Sequence, residues 1–346
     1  MRRKISKKLF FIELSMVMLL WLTCFKSAQA AGNIFDQYEI HDLSHLVPLY
    51  EPLGGDSTKS DLSKPVGDSQ PVAGSGGMLG VRTVKPRLNL QHGYLQWGYY
   101  YIEEHYSTHL DSTDHFVTTD KAMITVKHPD ERDVAGISLD ELIGPLVYID
   151  ISDRVARELA KNNGRPSIDL SITNFDNDSG NNIDVEHIEA IADHLVDGAY
   201  LVLNVGWEQF YIGPPPENGV NWEHPYNNNL NHPGITTAAV DRLIEIEDER
   251  GIRIAGFIAD NIAVESGHSL RGDMSTEKVI VPDLIMYLHA IGLNRGWKII
   301  ENAANLSVLG KYDQGDCDIV IGAPRVAGAS GTPARLMAVC KKTAKN

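Results

Sequence analysis

From about residue 138 onward the chain alternates between two periodicities, and that alternation limits its architecture more than any other feature. ISLDELIGPLVYIDIS reads as a short helix running into an apolar strand, VYIDI. Residues 184–197 (DVEHIEAIADHLVD) place Ile188, Ile191, Leu195 and Val196 on one helical stripe, and AYLVLNVGW follows as a buried strand. ITTAAVDRLIEIEDERG reads as a helix stopped by Gly251, the residue type a C-terminal cap favours, and IRIAGFIAD continues as a strand. VPDLIMYLHAIGLNRG repeats the helical pattern, and WKIIENAANL and CDIVIGAPRV supply two more strand candidates. Helices alternating with strands predict one α/β unit. No internal repeat or heptad pattern interrupts it.

The first third is different in kind. From Tyr38 to about Gln91 the chain is rich in Gly, Pro, Ser and Asp, and LGGDSTKSDLSKPVGDS and AGSGG read as long loops around a short strand and turn, IHDLSHLVPL. LQWGYYYIEEHYSTHLDSTDHF then suits a strand running into a loop. In its aromatic cluster, Trp97, Tyr99, Tyr100 and Tyr101, strand alternation divides core from pocket. Trp97 and Tyr50 are the candidate substrate-contacting aromatics, and Trp207 is divided between core and pocket in the same way.

Residues 1–30 carry Arg2, Arg3, Lys4, Lys7 and Lys8, an apolar stretch from Leu9 to Phe25 interrupted by Glu13, and a closing Ala28-Gln29-Ala30. This is the pattern of a cleaved export signal, which predicts a secreted or periplasmic mature chain, 31–346, with no membrane attachment after cleavage. Without the signal, 25 basic residues face 45 acidic ones. So negative a surface repels nucleic acid and anionic membranes, which leaves a small molecule as the expected partner. Cys317 and Cys340 remain as two thiols that could pair in an oxidising compartment or stay buried and free.

The chemistry concentrates in residues 105–116, HYSTHLDSTDHF. His105 and His109 are four apart, Asp111 follows two later, and His115 four after that. Imidazole and carboxylate ligands at such short separations can converge on a divalent cation. The bland alternative is a polar loop whose histidines are satisfied by hydrogen bonds. Asn174 to Asp184 has the polar spacing of a calcium loop but Ser179 where the turn needs Gly and Val185 where the closing Glu belongs, so a solvated insertion is the better reading. Arg271-Gly272-Asp273 reads as a chance tripeptide, His232 as a turn anchor, and His45 and His92 as ordinary surface or core residues.

The dodecapeptide resembles the signature of the metal-dependent cyclase or kynurenine formamidase (arylformamidase) family, H-x-G-T-H-x-D-x-P-x-H-F, with Ser107 in place of the preferred Gly and Thr113 in place of the frequent Pro. Both differences change backbone freedom and leave the ligand atoms alone. The second half-site of that family, a His and a Glu twelve residues apart, is matched by His289 and Glu301 in HAIGLNRGWKIIENAANL. HDLSHLVPLY, LIGPLVYIDIS, VLNVGW, HPGIT and GFIAD fall in the family order too, so the resemblance spans roughly residues 40–310.

What the resemblance implies is a cyclase-like mixed β-sheet core with flanking helices in a single domain, assembled as a homodimer or homotetramer. It implies two divalent ions per subunit, zinc or manganese, with His105, His109 and Asp111 on one and Asp111, His289 and Glu301 on the other. A carboxylate has two oxygens and can bridge, whereas a neutral imidazole offers one lone pair. His115 is then the proton-transfer residue beside a metal-bound hydroxide that attacks the carbonyl of a small aromatic amide. N-formylkynurenine is the family's best-known substrate, a cyclic amide such as isatin the runner-up. A protein of another class, a secreted binder of metal or small ligand without turnover, is the remaining alternative, and Ser107 is the residue that motivates it.

Overall fold

The computed structural model describes residues 36–45, 49–50, 80–84, 88–91, 93–95, 98–116, 132–164, 181–211, 226, 228, 231–267 and 286–342. Trp97 and His92, the export signal, the calcium-like loop up to residue 180 and the Arg-Gly-Asp tripeptide lie outside them, and so does the side chain of Tyr50.

The strands in chain order are β1 (Tyr38–Asp42), β2 (Leu49–Tyr50), β3 (Gly80–Val84), β4 (Leu88–Leu90), β5 (Gly93–Leu95), β6 (Gly98–Tyr101) and β7 (His109–Asp111). They continue with β8 (Ile143–Asp150), β9 (Tyr200–Asn204), β10 (Gly256–Ala259), β11 (Lys298–Glu301), β12 (Cys317–Gly322), β13 (Gly331–Pro333) and β14 (Arg335–Lys341). Nine of them form one mixed sheet in the order β1-β14-β12-β8-β9-β10-β11-β7-β13. The centre, β8 to β11, is parallel, and both flanks are antiparallel. Small sheets of β2, β3 and β6, and of β4 and β5, stand apart from this hydrogen-bonded set.

Parallel strands need crossovers, and the crossovers here bring helices. The helices α1 (Ser152–Lys161), α2 (Val185–Ile191) and α3 (Thr237–Arg250) bury Val155, Leu159, Ile188, Ile191, Val240 and Leu243 with Leu201, Leu203 and Phe257 of the sheet. The opposite face collects Leu146, Tyr200, Val202, Ile258, Ile300, Ile319 and Leu336. Successive residues of β9 thus serve two cores in turn, which explains the continuous apolar run from Tyr200 to Leu203. Each aliphatic side chain so buried stabilises the fold by about 1.5–3 kcal/mol before entropy is counted.

Local signals set the boundaries. Thr236 caps α3 by accepting from the Ala239 amide at 3.2 Å, and Gly251 ends it with φ 65°, a left-handed turn that glycine adopts without cost. The predicted helix over 184–197 is shorter: α2 stops at Ile191, a 3-10 turn covers Ala192–His194, and Leu195 is buried while Val196 is 43% exposed. Val196 leaves the stripe because the chain turns at Gly198, φ 76°, whose amide donates to the Arg253 carbonyl at 2.7 Å. The last helical segment contains a π turn, His289–Leu293. Beyond β12, the last strand candidate in the sequence, lie β13 and β14, and Cys317 and Cys340 pair across β12 and β14 in a disulfide. No described helix is long and apolar enough to cross a membrane.

Candidate metal centre

Strand β7 lies between β11 and β13, so its side chains alternate between the two sheet faces. Leu110 goes into one core, and His109 and Asp111 go to the other side together. The register sets Glu301 opposite His109 and Gly331 opposite Asp111. With no side chain at 331 the His105 ring fits over the strand; a Cβ there would lie 2.4 Å from His105 Cε1. His289 arrives from the first residue of the π turn, a helical irregularity found often at functional sites.

Five of the six predicted ligating or catalytic residues crowd around the Asp111 carboxylate. Its Oδ1 is 2.6 Å from His105 Nδ1 and 3.3 Å from His109 Nε2, and its Oδ2 is 3.7 Å from His289 Nε2. Glu301 reaches His109 Nε2 with Oε2 at 3.4 Å and His289 Nε2 with Oε1 at 3.1 Å. His115 stands beside them, its ring centroid 3.8 Å from that of His105 and 5.7 Å from that of His289. Tyr50 sits on β2, and neither it nor Trp97 can be placed against the cluster.

The donor chemistry fits a divalent cation. The Ser107 carbonyl only accepts, so His109 Nδ1–H donates to it at 2.9 Å, which leaves Nε2, facing the two carboxylates, as the nitrogen that can bind a cation or a proton. That Nε2 and Asp111 Oδ2 are both buried without a hydrogen-bond partner among the described residues. Buried polar atoms are nearly always satisfied, and a cation shared by these two would satisfy both. Among the described residues, two ligand sets are close enough to hold an ion: His109, Asp111 and Glu301, and His105, Asp111 and His115. The second set makes His115 a possible ligand in geometry as well as a proton carrier.

Electrostatics point the same way. Burial opposes charge on His109, but Asp111 and Glu301 beside it raise its pKa to about 9. Burial likewise disfavours the Asp111 carboxylate, yet His109 and His105 hold it well below the usual carboxylate range. Glu301 is raised, by burial and by Asp111. His289 is raised well above normal because Glu265 and Glu301 outweigh its burial. His115 goes the other way, down to about 4, through burial and the neighbouring histidines. In the ion-free protein the cluster thus binds protons where a cation can go, and cation binding would release them.

Residue 107 explains how the loop can bend back. Ser107 has φ 62°, the left-handed region in which glycine is free and serine is strained by about 1 kcal/mol. The bend survives because the Asn302 side-chain amide donates to the Ser107 carbonyl at 3.0 Å, while Tyr226 donates to the Asn302 Oδ1 at 2.5 Å. The substitution therefore leaves the loop in the conformation that glycine would favour.

Three contributors escaped the sequence reading. His105 Nε2 meets Ser330 Oγ at 3.0 Å, and that hydroxyl donates to Glu104 Oε2 at 2.8 Å. Glu265 lies behind His289. Nothing in spacing links residue 330 to residue 105, whereas Glu265 sits next to GFIAD and could have been considered for its acidity alone.

The sheet order and this cluster define a cyclase-like fold. The family model described as "Putative cyclase" matches residues 42–266, and the chain belongs to that family. Among solved structures, isatin hydrolase A from Ralstonia solanacearum is similar with a TM-score of 0.54 at 18% identity, over 92% of this chain and 97% of that one. Isatin hydrolase A from Labrenzia aggregata, bound to benzyl benzoate, gives 0.55 at 18% over 91% and 99%, and a structure described as a novel cyclase gives 0.51 at 17% over 87% and 88%. At these identities the likeness is one of fold. No curated protein matches the chain.

Proposed function

We propose that the protein is a metal-dependent hydrolase of a non-peptide carbon–nitrogen bond in a small aromatic amide. The observation that carries this reading is the convergence of His105, His109, Asp111, His289 and Glu301, with His109 Nε2 and Asp111 Oδ2 buried and without a hydrogen-bond partner among the described residues. A divalent cation, zinc or manganese, supplies carbonyl polarisation and water acidification when bound. Asp111 turns one oxygen toward His105 and His109 and the other toward His289, as a residue shared between two ions would. His115, held neutral by burial and partly exposed, can accept a proton from attacking water and return it to the leaving nitrogen.

An arylformamide is the first substrate class to test. Ring opening of a cyclic amide such as isatin is the second, favoured by the isatin hydrolases among the similar structures. The basic, apolar and small-residue pattern of 1–30, together with the disulfide, supports an exported protein, and a homodimer or homotetramer is the assembly proposed.

A panel of formanilides, isatin and lactones, assayed with chelator and after return of Mn²⁺ or Zn²⁺, tests the proposal. Chelation is expected to abolish turnover and metal to restore it; full turnover without metal would overturn the reading. His115→Ala is expected to retain metal and slow single turnover by roughly 10²- to 10⁴-fold. Loss of metal from that variant would make His115 a ligand.

A further inference from the structure

The turn from Asn261 to Glu265 ends in a carboxylate with an unusual setting. Glu265 is 0% exposed. Its Oε1 accepts from the His289 backbone amide at 2.7 Å and faces His289 Nδ1 at 3.1 Å. A carboxylate that accepts from Nδ1–H leaves the His289 lone pair on Nε2, the atom that faces Glu301 and Asp111. The other oxygen, Oε2, is buried with no hydrogen-bond partner among the described residues. Burying a carboxylate half-satisfied destabilises a fold, so stability alone gives no reason for it.

The backbone beneath it is strained and clamped. Val264 has φ 61°, an outlier for a β-branched residue, in a tight turn closed by the Glu265 amide donating to the Ala263 carbonyl at 2.5 Å. Asn261 holds the turn from inside: its Oδ1 accepts from the Val264 amide at 2.7 Å, and its Nδ2 donates to the Pro233 carbonyl at 2.7 Å and the Glu265 carbonyl at 3.3 Å. From the other side Gly234 approaches so closely that a Cβ would lie 2.2 Å from the Glu265 carbonyl oxygen. Strain held by three separate constraints marks a conformation that the surroundings impose.

We propose that Glu265 is a positioning residue for the metal centre: held by the strained 261–265 turn, it fixes the tautomer and ring orientation of His289 so that Nε2 faces the ion. The proposal rests on the metal-dependent reading above. A partner of this kind behind a ligating histidine raises its basicity, and its loss typically lowers metal affinity 10- to 100-fold.

The test uses the full chain with Glu265→Gln and Glu265→Ala, titrated with Zn²⁺ or Mn²⁺ against a competing chelator, and long-range proton–nitrogen NMR of the His289 ring in the ion-free proteins at a pH high enough to remove the ring's second proton. Glu265→Gln keeps the size and an accepting oxygen, so the tautomer should persist while affinity falls about tenfold. Glu265→Ala should lose the single tautomer and about a hundredfold in affinity. Affinities within twofold of the parent in the variants that fold would overturn the proposal. Should Glu265→Ala fail to fold, Glu265→Gln decides by the same criterion. A parent protein that binds neither metal would sink the hydrolase reading instead, and the ring-nitrogen signals of the variants would still report whether Glu265 holds His289.

Discussion

At one end of the nine-stranded sheet β12 and β14 run six and seven residues, alternate in burial and are joined by Cys317–Cys340. Toward the other end β7 and β11 run three and four residues and carry His109, Asp111 and Glu301 into the interior. The first region follows the local rules of a sheet: buried apolar residues at every second position, more exposed residues between them, strands paired along their length. The second breaks several at once, with buried charges, buried polar atoms without a hydrogen-bond partner among the described residues, left-handed Ser107 and Asn302 beside cluster residues, and left-handed Val264 beside Glu265. Stability is thus gathered at one end and spent, in effect, at the other, the distribution expected where a site needs groups that a core rejects.

The comparison breaks most directly at Asp111. Asp111→Asn should empty the site of metal and lower hydrolysis by roughly a thousandfold or more. The ion-free protein should also melt lower in calorimetry, because removing one partner of the buried Asp111–His109 pair leaves the other uncompensated. An unchanged ion-free melting temperature would mean that the cluster contributes nothing to the fold without its ion.

At the far end stability should fall without loss of metal. Replacing Cys317 and Cys340 together by Ala removes a cross-link between residues 23 apart and should cost about 3 kcal/mol in denaturant unfolding. Metal content and the rate per folded molecule should be unchanged. A loss of metal binding would show that the two ends are mechanically coupled.

His45 sharpens the boundary between them. Its ring stacks on Tyr211 at 3.7 Å, and burial lowers its pKa to about 4. A histidine with a depressed folded pKa keeps its full contribution above the unfolded value near 6.5 and loses it as pH falls toward 4. Stability should therefore fall across that interval by at most about 3 kcal/mol, and His45→Phe should flatten the slope in acid titrations followed by circular dichroism. An unaltered slope would assign the acid sensitivity to other groups.

The smallest effect is expected at Ser107. Ser107→Gly should relieve its φ of 62° and stabilise the protein by about 1 kcal/mol, with metal affinity unchanged. Lower affinity in that variant would show that the strain itself shapes the site.

Much of the site was legible because residues 105–116 are contiguous and strand alternation puts His109 and Asp111 on one face. His289 and Glu301 were found through family spacing, which the fold converts into cross-strand register with β7 for Glu301 and into a π turn for His289. Glu265, Glu104 and Ser330 were not found, since each acts through contacts that only the tertiary fold brings together. β14 was overlooked despite a readable signal: Leu336, Ala338 and Cys340 alternate with more exposed neighbours at the strand period. The error at Val196 was one of helix length, the property that local turn chemistry decides.

Gly331 has a consequence for how such a chain can diverge. It lies 65 residues beyond the stretch that identifies the family, yet its missing side chain is what admits the His105 ring. In a library randomised at 331 and selected for turnover, glycine alone should be recovered, because every other residue must first evict that ring. One narrow mutational passage of the active cluster would then fall outside its diagnostic segment, on an edge strand only three residues long.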